Sequence, residues 1–546
     1  MTVQAHDRWL SSGAEVLIEE IEQDPTVFHC DVLIVGSGYG GAVAAARLAG
    51  ATSEASGEAI RVYVLERGNE YLPGEFPGTF AEMPGHVRFS KQDGSPARGR
   101  PTGLFDLRLG NVNVVLGNGL GGGSLINAAV MEEPTADAFM DPHWPKDFRV
   151  GALMDGYLAA KKMLAPEQMP GSVPKLDSLL RAGHQMVAHE RRKAWLAIDF
   201  ESRTTPAGVD MDACLKCGDC VTGCNHRAKK SLDTNYLALA QANGARLFCG
   251  ATAHRLMTVP DGYAVDFFLT DTAKTRADRD RPYTVRARHV ILAAGALGST
   301  ELLLRSQSAG LPIRAGGLGT RFSTNGDLIA VAHRQNKPAH ASAMESEPPK
   351  DRDVGPTITG LLRKATTGLP IVIEEFGIPA PLRRLFGEVV TTMDALHSLP
   401  EFDGTTHDEH AGGIDPMAVN DHALDHTSVY GMMGDDGAQG KIALAANDDL
   451  LTDGRTRIDW GNVAQAAVFE QQMAALREAH RGLGGLGGRV LPNPLWKPLP
   501  ELGELGDLRL GATTVHPLGG CPMSEPGGDG VVDSHGQVYE IGRAHV

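Results

Sequence analysis

This sequence of 546 residues lacks several features that would place it in a specialised class of protein. It has no block rich in lysine and arginine, and its formal net charge is −16, so nucleic acid is not an expected partner. No apolar run reaches the length of about 20 residues that a transmembrane segment needs. The first residues have neither the basic stretch nor the apolar stretch of a secretory signal, which predicts a cytoplasmic location.

Cysteine is also scarce, and its distribution argues against a secreted fold held by disulfides. There are seven cysteines, an odd number, and four of them form one run of Cys214, Cys217, Cys220 and Cys224. The C-x2-C-x2-C-x3-C spacing is that of a bacterial ferredoxin run, although Asn225 stands where a proline usually follows. A 4Fe-4S cluster, a zinc site, and reduced thiols or disulfides in a covering loop all remain open.

What the sequence has in abundance is glycine, with 66 residues, and two glycine-rich loops carry the most information. The first, Gly36-Ser-Gly-Tyr-Gly-Gly41, follows an apolar strand-like run at 31–35 and opens an alanine-rich helical stretch at 42–49. A second strand-like run at 61–65 ends at Glu66, whose carboxylate can bind a ribose diol. This pattern predicts a dinucleotide-binding unit with the pyrophosphate at the helix N-terminus.

The second loop, Gly117-Asn-Gly-Leu-Gly-Gly-Gly-Ser124, lies too far along the chain to belong to the first turn. Strand-like residues precede it, and apolar residues rather than polar ones fill the gaps between its glycines, unlike a flexible linker. A chain so short of side chains suits a backbone that is pressed against a flat ligand.

With these loops, the sequence resembles the glucose–methanol–choline (GMC) flavoprotein oxidoreductases, most closely their cholesterol-oxidase-like branch. The resemblance is carried by four blocks in family order, at 32–48, 117–127, 287–300 and 514–521. It implies FAD as cofactor and an α/β fold, with an FAD-binding Rossmann-like parallel sheet and an antiparallel-sheet substrate domain. It further implies oxidation of a small-molecule alcohol to a ketone or aldehyde, with a sterol or another bulky apolar alcohol favoured. Electrons would pass to O2 or to an electron carrier.

The resemblance also assigns roles to single residues. His516 would face the flavin, bind the substrate hydroxyl and assist its deprotonation, with its ring direction fixed by Pro517 and the glycines that follow. The residues that would bind FAD are Gly36, Gly38, Tyr39, Gly40, Gly41, Glu66, Gly119, Gly122, Gly123, Ser124, Asn127 and Gly295.

The pattern along the chain predicts four regions. They are an N-terminal extension at 1–30, an FAD-binding domain at 31–310 with a cysteine-rich insertion at 211–230, a substrate-binding domain at 311–505, and a return to the FAD domain at 506–539. Helices are predicted at 15–22, 176–192, 231–243, 297–306 and 462–481. Strands are predicted at 246–259, 263–269, 283–293, 371–375, 441–444 and 456–460.

Two departures from the family pattern bear on function. Glu374 and Glu375 lie in the region where cholesterol oxidases carry a glutamate that moves a double bond, but their local pattern does not match well. Capping of a strand end is an equally good role for them.

The last residues are the second departure, because the family continues there into a strand, a loop and a helix. Back-translated as ATC-GGA-AGA-GCA-CAC-GTC, residues 541–546 spell a common sequencing-library adapter. We therefore expect 540–546 to be an artefact and the natural chain to be longer.

Two alternatives to an oxidase remain open. One is an FAD alcohol dehydrogenase that passes electrons through a 4Fe-4S cluster, and the other is an inactive flavin-binding fragment.

Overall fold

The computed structural model describes most of the chain. The segments that it describes are 9–54, 56–93, 97–149, 151, 153–183, 188–270, 282–314, 316–345, 354–397, 421–445, 456–481, 489–492, 512–541 and 544–545. The predicted boundary at 505/506 lies outside these segments, and the predicted limits of the domains stay predictions.

Helices and strands alternate along the described chain. The strands are β1 (Ser12–Gly13), β2 (Cys30–Val35), β3 (Val62–Glu66), β4 (Val87–Lys91), β5 (Arg98–Gly99), β6 (Phe105–Leu109), β7 (Val112–Gly117), β8 (Ala188–Lys193), β9 (Arg203–Thr204), β10 (Asp210–Met211), β11 (Arg246–Cys249), β12 (Ala251–Val259), β13 (Gly262–Leu269), β14 (Tyr283–Leu292), β15 (Leu328–His333), β16 (Gly360–Lys364), β17 (Ile371–Phe376), β18 (Ser428–Met433), β19 (Lys441–Leu444), β20 (Thr456–Asp459), β21 (Arg489–Pro492), β22 (Ala512–Thr514) and β23 (Ala544–His545). The α-helices are α1 (Ala14–Gln23), α2 (Tyr39–Leu48), α3 (Lys146–Arg149), α4 (Met154–Leu164), α5 (Pro174–Ala182), α6 (Tyr236–Ala242), α7 (Gly295–Ser308), α8 (Arg383–His397), α9 (Asp421–Asp425) and α10 (Ala467–Arg481). Short 3-10 turns lie at Met83–His86, Gly122–Leu125, Ala136–Met140, Cys220–Thr222, Leu232–Thr234, Ala380–Leu382 and Val463–Gln465.

The largest sheet has the strand order β1-β11-β3-β2-β14-β13-β12. Its first five strands are parallel, and β13 and β12 continue it in antiparallel fashion. Apolar residues fill β2 and β3 because a parallel sheet is covered on both faces. This is the α/β, Rossmann-like fold that the sequence predicts. The predicted single run at 246–259 is two strands, because Gly250 separates β11 from β12.

A six-stranded antiparallel sheet, in the order β21-β15-β18-β17-β16-β8, forms the second large layer. The prediction of one helix over 176–192 is wrong in its second half, because α5 ends at Ala182 and β8 begins at Ala188. Charged residues that would suit the exposed face of a helix instead form pairs between neighbouring strands here. Arg363 lies opposite Glu190 and donates to it at 2.8 Å. Tertiary pairing overrides local propensity at this edge.

A five-stranded sheet, in the order β22-β7-β6-β4-β5, joins distant parts of the chain. Three of its strands, β4, β5 and β6, lie between β3 and the second glycine loop, where no strand is predicted above. The short strand β22 pairs in parallel with β7, with Thr514 opposite Val114. Parallel strands end at the same sheet edge, so the segment after Thr514 emerges beside the second glycine loop.

The end of the described chain packs onto the main sheet. Ile541 is buried and its carbonyl accepts a hydrogen bond from the Tyr263 hydroxyl at 2.6 Å, while β23 pairs with β14. The proposed adapter origin of 540–546 stays a prediction, because a short strand says nothing about the DNA that encodes it. Within the described segments, no helix has the length and apolar character needed to cross a membrane.

A buried charge network links β3 to the five-stranded sheet. Asp106 has no exposed surface and contacts three guanidinium groups, those of Arg67 at 3.0 Å, Arg88 at 2.5 Å and Arg108 at 3.3 Å. Burial alone would raise the pKa of Asp106, but these three cations hold it far below its usual value. Because Arg67 follows Glu66, the network also fixes the end of β3, where Glu66 is predicted to bind the ribose.

Replacing Asp106 with Asn is expected to lower stability by about 3–5 kcal/mol, because it leaves buried guanidinium groups without their carboxylate. The control is Asp31→Asn, whose ion pair with Arg61 is partly exposed and should contribute about 1 kcal/mol or less. Thermal unfolding of the two variants measures the difference. Equal melting temperatures for both variants would contradict the central role of Asp106.

Candidate active site

The first glycine loop forms a tight turn between β2 and α2. Gly36 has a φ of +99°, and a Cβ there would lie 2.4 Å from the carbonyl oxygen of Ala293. A Cβ on Gly41 would lie 2.0 Å from the carbonyl oxygen of Gly36. By contrast, no protein atom lies within 4 Å of a Cβ built on Gly38. Gly36 and Gly41 are thus required by the packing of the protein itself, whereas Gly38 borders open space.

The carboxylate of Glu66 lies beneath this turn. Ser37 donates to it from its hydroxyl at 2.5 Å and from its backbone N–H at 3.2 Å, and Gly68 N–H donates at 2.9 Å. The Ser37 hydroxyl also accepts from Gly121 N–H at 3.0 Å and so joins the two glycine loops. Sequence reasoning missed Ser37, and only its place inside the glycine motif could have pointed to it.

The second loop packs against the first. A Cβ on Gly122 would lie 2.9 Å from the Cα of Gly38, and the Asn127 amide donates to the Tyr39 hydroxyl at 2.8 Å. Ser124 turns inward, where its hydroxyl donates to the Gly121 carbonyl at 2.7 Å.

Three further members of the predicted FAD set, Gly40, Gly119 and Gly295, lie around the same turn. Gly40 would place a Cβ 3.8 Å from Ala293, two residues before Gly295 at the start of α7, and the Ser37 hydroxyl donates to the Gly119 carbonyl at 3.4 Å. Gly123 borders open space, as Gly38 does. The structure therefore brings all twelve residues of the predicted FAD set to one region of the fold, although their contacts with FAD stay a prediction.

His516 emerges from β22 and is oriented by a carboxylate that sequence reasoning missed. Asp327 lies 189 residues away along the chain, and its Oδ1 contacts His516 Nδ1 at 2.8 Å. Its Oδ2 accepts the backbone N–H of Val515 at 2.9 Å and that of His516 at 3.2 Å. Within the described residues, Nε2 of His516 makes no hydrogen bond, and half of the side chain is exposed. The ring is therefore held from one side and open on the other.

Asp327 also controls the charge of this ring. Burial lowers the pKa of His516, but the Asp327 carboxylate and its hydrogen bond outweigh burial and raise it to about 9. A smaller contribution in the same direction comes from Glu374. At neutral pH the imidazole therefore carries a proton.

The neighbours Glu374 and Glu375 project to opposite faces of β17, as alternation in a strand requires. Glu375 is structural: it forms an ion pair with Lys175 at 3.0 Å, each side chain only 1% exposed, and accepts the backbone N–H of Gly360 at 3.0 Å. Glu374 instead interacts electrostatically with His516, and burial raises the pKa of Glu374 to about 8. Only Glu374 therefore belongs to the candidate site.

The four-cysteine run is covered by the described residues. Cys214, Cys217, Cys220 and Cys224 are free thiols, and burial raises the pKa of the first three. No group of three or more His, Cys, Asp or Glu side chains in the described part of the chain is arranged to hold a metal ion. The iron–sulfur and zinc hypotheses thus gain no support from the geometry and stay predictions.

A cavity of about 550 Å³ opens at the nucleotide edge of the main sheet. Glu70, Arg100 and Cys249 are among its lining residues, and Cys249 lies directly opposite Glu66 in the pairing of β11 with β3. Neither His516 nor Glu66 nor a glycine of the two loops is among its lining residues.

The parallel sheet and its glycine turn place the chain among the dinucleotide-binding α/β proteins. Comparison with protein families narrows this class: the N-terminal GMC oxidoreductase domain matches residues 30–310, and the C-terminal domain matches residues 437–546. The chain belongs to the GMC oxidoreductase family, as the sequence resemblance predicted. FAD is the cofactor that this membership gives it.

Individual relatives are oxidases of different alcohols. Cholesterol oxidase of Mycobacterium tuberculosis is 32% identical over 328 residues, which are 55% of this chain and 52% of the relative. Cholesterol oxidase of Acinetobacter baumannii is 29% identical, covering 55% of each protein. A long-chain-alcohol oxidase of Arabidopsis thaliana, FAO4B, is 25% identical over 51% of this chain and 34% of its own length. The chain therefore spans about half the length of the cholesterol oxidases that it matches.

Among solved structures, pyridoxine 4-oxidase from Mesorbium loti has the same fold. It superimposes with a TM-score of 0.55 over 95% of this chain and 93% of its own, at 16% sequence identity.

Replacing Asp327 with Asn is expected to lower the pKa of His516 from about 9, because the carboxylate and its hydrogen bond, the two largest contributions that raise it, are lost. NMR titration of the histidine side chains measures this shift, with His516→Gln as the control that assigns the resonance. An unchanged titration in Asp327→Asn would show that another group sets the charge of His516.

Proposed function

We propose that this protein oxidises an alcohol to a ketone or aldehyde with bound FAD. The observation that carries the proposal is the His516 ring, fixed by Asp327 with Nε2 open, at the sheet edge where the segment after β22 emerges beside the second glycine loop. An oriented imidazole at a dinucleotide site is the arrangement that alcohol oxidation requires.

The residues present fit FAD. Gly38 and Gly123 border open space, so the backbone there can approach a ligand without any change in the protein. Glu66 would hold the adenosine ribose, and the cavity of about 550 Å³ lined by Cys249, the residue opposite Glu66 in the sheet, would receive the nucleotide end. The remaining predicted FAD ligands surround the same turn.

The chain's own residues would bind and deprotonate the alcohol. FAD, when bound, supplies the redox chemistry by accepting the hydride from the carbinol carbon. Nε2 of His516 is the atom that meets the substrate hydroxyl, since Nδ1 is committed to Asp327. Because the pKa of His516 is about 9 without substrate, the neutral ring that accepts a proton becomes more populated as pH rises toward 9.

A bulky apolar alcohol is the substrate class that we favour, with a sterol as the first candidate. Val515 and Leu518 lie within two residues of His516 and are 45% and 51% exposed, so exposed apolar side chains stand near it in the sequence. The relatives named as cholesterol oxidases and long-chain-alcohol oxidases support this class and support O2 as the electron acceptor. The cytoplasmic location remains a prediction from the sequence.

Gly38→Val is expected to abolish FAD binding without unfolding the protein, because the added side chain meets no protein atom within 4 Å at its Cβ but would occupy the pyrophosphate position. Gly41→Val is the contrasting variant, since its Cβ would clash with Gly36 and destabilise the turn itself. Flavin absorbance and the melting temperature of the apo-protein measure the two effects. Full flavin occupancy in Gly38→Val would refute the assignment.

His516→Ala is expected to keep FAD but to slow anaerobic flavin reduction by a good alcohol about 10²–10⁴-fold, because one positioned acid–base group is lost. Stopped-flow absorbance of the flavin measures the rate, and the peroxide formed per alcohol consumed in air tests O2 as the acceptor. Reduction within a few-fold of the wild-type rate would remove His516 from the mechanism.

A further inference from the structure

The cysteine-rich insertion at 211–230 contains a buried lysine, Lys229, that has no role in the flavin site as described above. Lys229 is 3% exposed, and its ammonium Nζ lies 2.9 Å from the carbonyl oxygen of Leu125, 2.8 Å from that of Asn127 and 2.8 Å from that of Cys220. An ammonium group has three N–H donors, so all three are spent on main-chain oxygens. Two of these oxygens belong to the segment that ends the second glycine loop.

A second contact joins the same two segments. The backbone N–H of Leu232 donates to the Ser124 hydroxyl at 3.1 Å, and that hydroxyl donates to the Gly121 carbonyl at 2.7 Å. Leu232 therefore holds the loop by its backbone N–H at the Ser124 hydroxyl. Lys229 holds it by its ammonium at the carbonyl groups of Leu125 and Asn127.

Lys229 adds external support to a loop whose internal hydrogen bonds join only near neighbours, such as the Gly122 N–H to the Gly119 carbonyl at 2.7 Å. Gly121 and Gly122 have φ values of +110° and +55°, and neither carries a side chain that could lock this conformation. Without the Lys229 ammonium, the carbonyl oxygens of Leu125 and Asn127 would lose these hydrogen bonds, which is costly for buried groups.

The next residue provides a natural contrast. The backbone around Lys229 is extended, with a bridge to Ile198, so the side chains of Lys229 and Lys230 project in opposite directions. Lys230 is also buried, at 5% exposed, and its Nζ contacts the Ala165 carbonyl at 2.7 Å and Asp199 at 2.9 Å. The two lysines thus match in burial, but only Lys229 contacts the glycine loop.

We propose that Lys229 is a positioning residue of the flavin site: its ammonium fixes the backbone of the second glycine loop in the conformation that receives FAD. The cysteine-rich insertion then places this lysine and the Cys220 carbonyl against the segment that ends the loop. The inference rests on the proposed flavin site and adds to it a residue outside the predicted FAD set.

The test compares Lys229→Met with Lys230→Met in the full chain. For each apo-protein, FAD affinity is measured by titration of flavin fluorescence, and stability by thermal unfolding without FAD. Lys229→Met is expected to weaken FAD binding about tenfold or more, since two hydrogen bonds from a buried cation to the loop are lost. It should also change the absorption bands of the flavin bound at saturation. Lys230→Met should lose stability but keep FAD affinity within about threefold of wild type.

Two results would overturn the inference: wild-type FAD affinity and spectrum in Lys229→Met, or an equal loss of affinity in Lys230→Met. If the methionine variants do not fold, Lys229→Gln and Lys230→Gln replace them, because glutamine keeps N–H donors without the charge. Wild-type apo-protein that binds no FAD would overturn the proposed flavin site as well. Wild-type binding with an unaffected Lys229 variant would overturn only the role of Lys229.

Discussion

The parallel pairing of β22 with β7 is the constraint on which the candidate site depends. Only three residues form β22, yet they return a distant part of the chain to the strand that leads into the second glycine loop. Such a short strand is not held by its ladder alone. Asp327 completes the attachment, because it accepts the backbone N–H groups of Val515 and His516 that follow the strand. One carboxylate therefore fixes both the path of the chain and the direction of the His516 ring.

Buried charges recur wherever a segment must be held beside the cofactor region. Asp106 with its three arginines fixes the end of β3, the Lys175–Glu375 pair stabilises the strand that presents Glu374, and Lys229 binds the carbonyls of the second loop. A buried charge costs several kcal/mol in desolvation, so each is tolerated only with a full set of partners. Burying these charged groups costs free energy, but their hydrogen bonds fix the orientation of the segments that they contact. A cofactor site depends on fixed orientation more than on additional apolar packing.

The sequence predicted the fold and the glycine loops because their signals are local. A strand, a tight glycine turn and a helix follow one another within about twenty residues around Gly36, and propensity and spacing act at that range. Asp327 could not be paired with His516 in this way, since nothing in the sequence around Asn325-Gly-Asp327 indicates a partner 189 residues away. The strand at 188–193 was mistaken for a helix for the same reason: its charges are explained only by the neighbouring strand β16.

The protonation states of Glu374 and His516 follow from the different surroundings of the two side chains. Glu374 is buried with no hydrogen bond from any described residue, so its carboxyl keeps a proton up to a pKa of about 8. The side chain of His516 is half exposed and is bonded to Asp327, and so it keeps its proton up to a pKa of about 9. Their attraction when both are charged links the two titrations. At neutral pH the site therefore holds a cationic donor, His516, and a neutral acid, Glu374. In the proposed reaction His516 would accept the proton of the alcohol only after losing its own, so Asp327, which raises the pKa of His516, would set the pH at which oxidation begins.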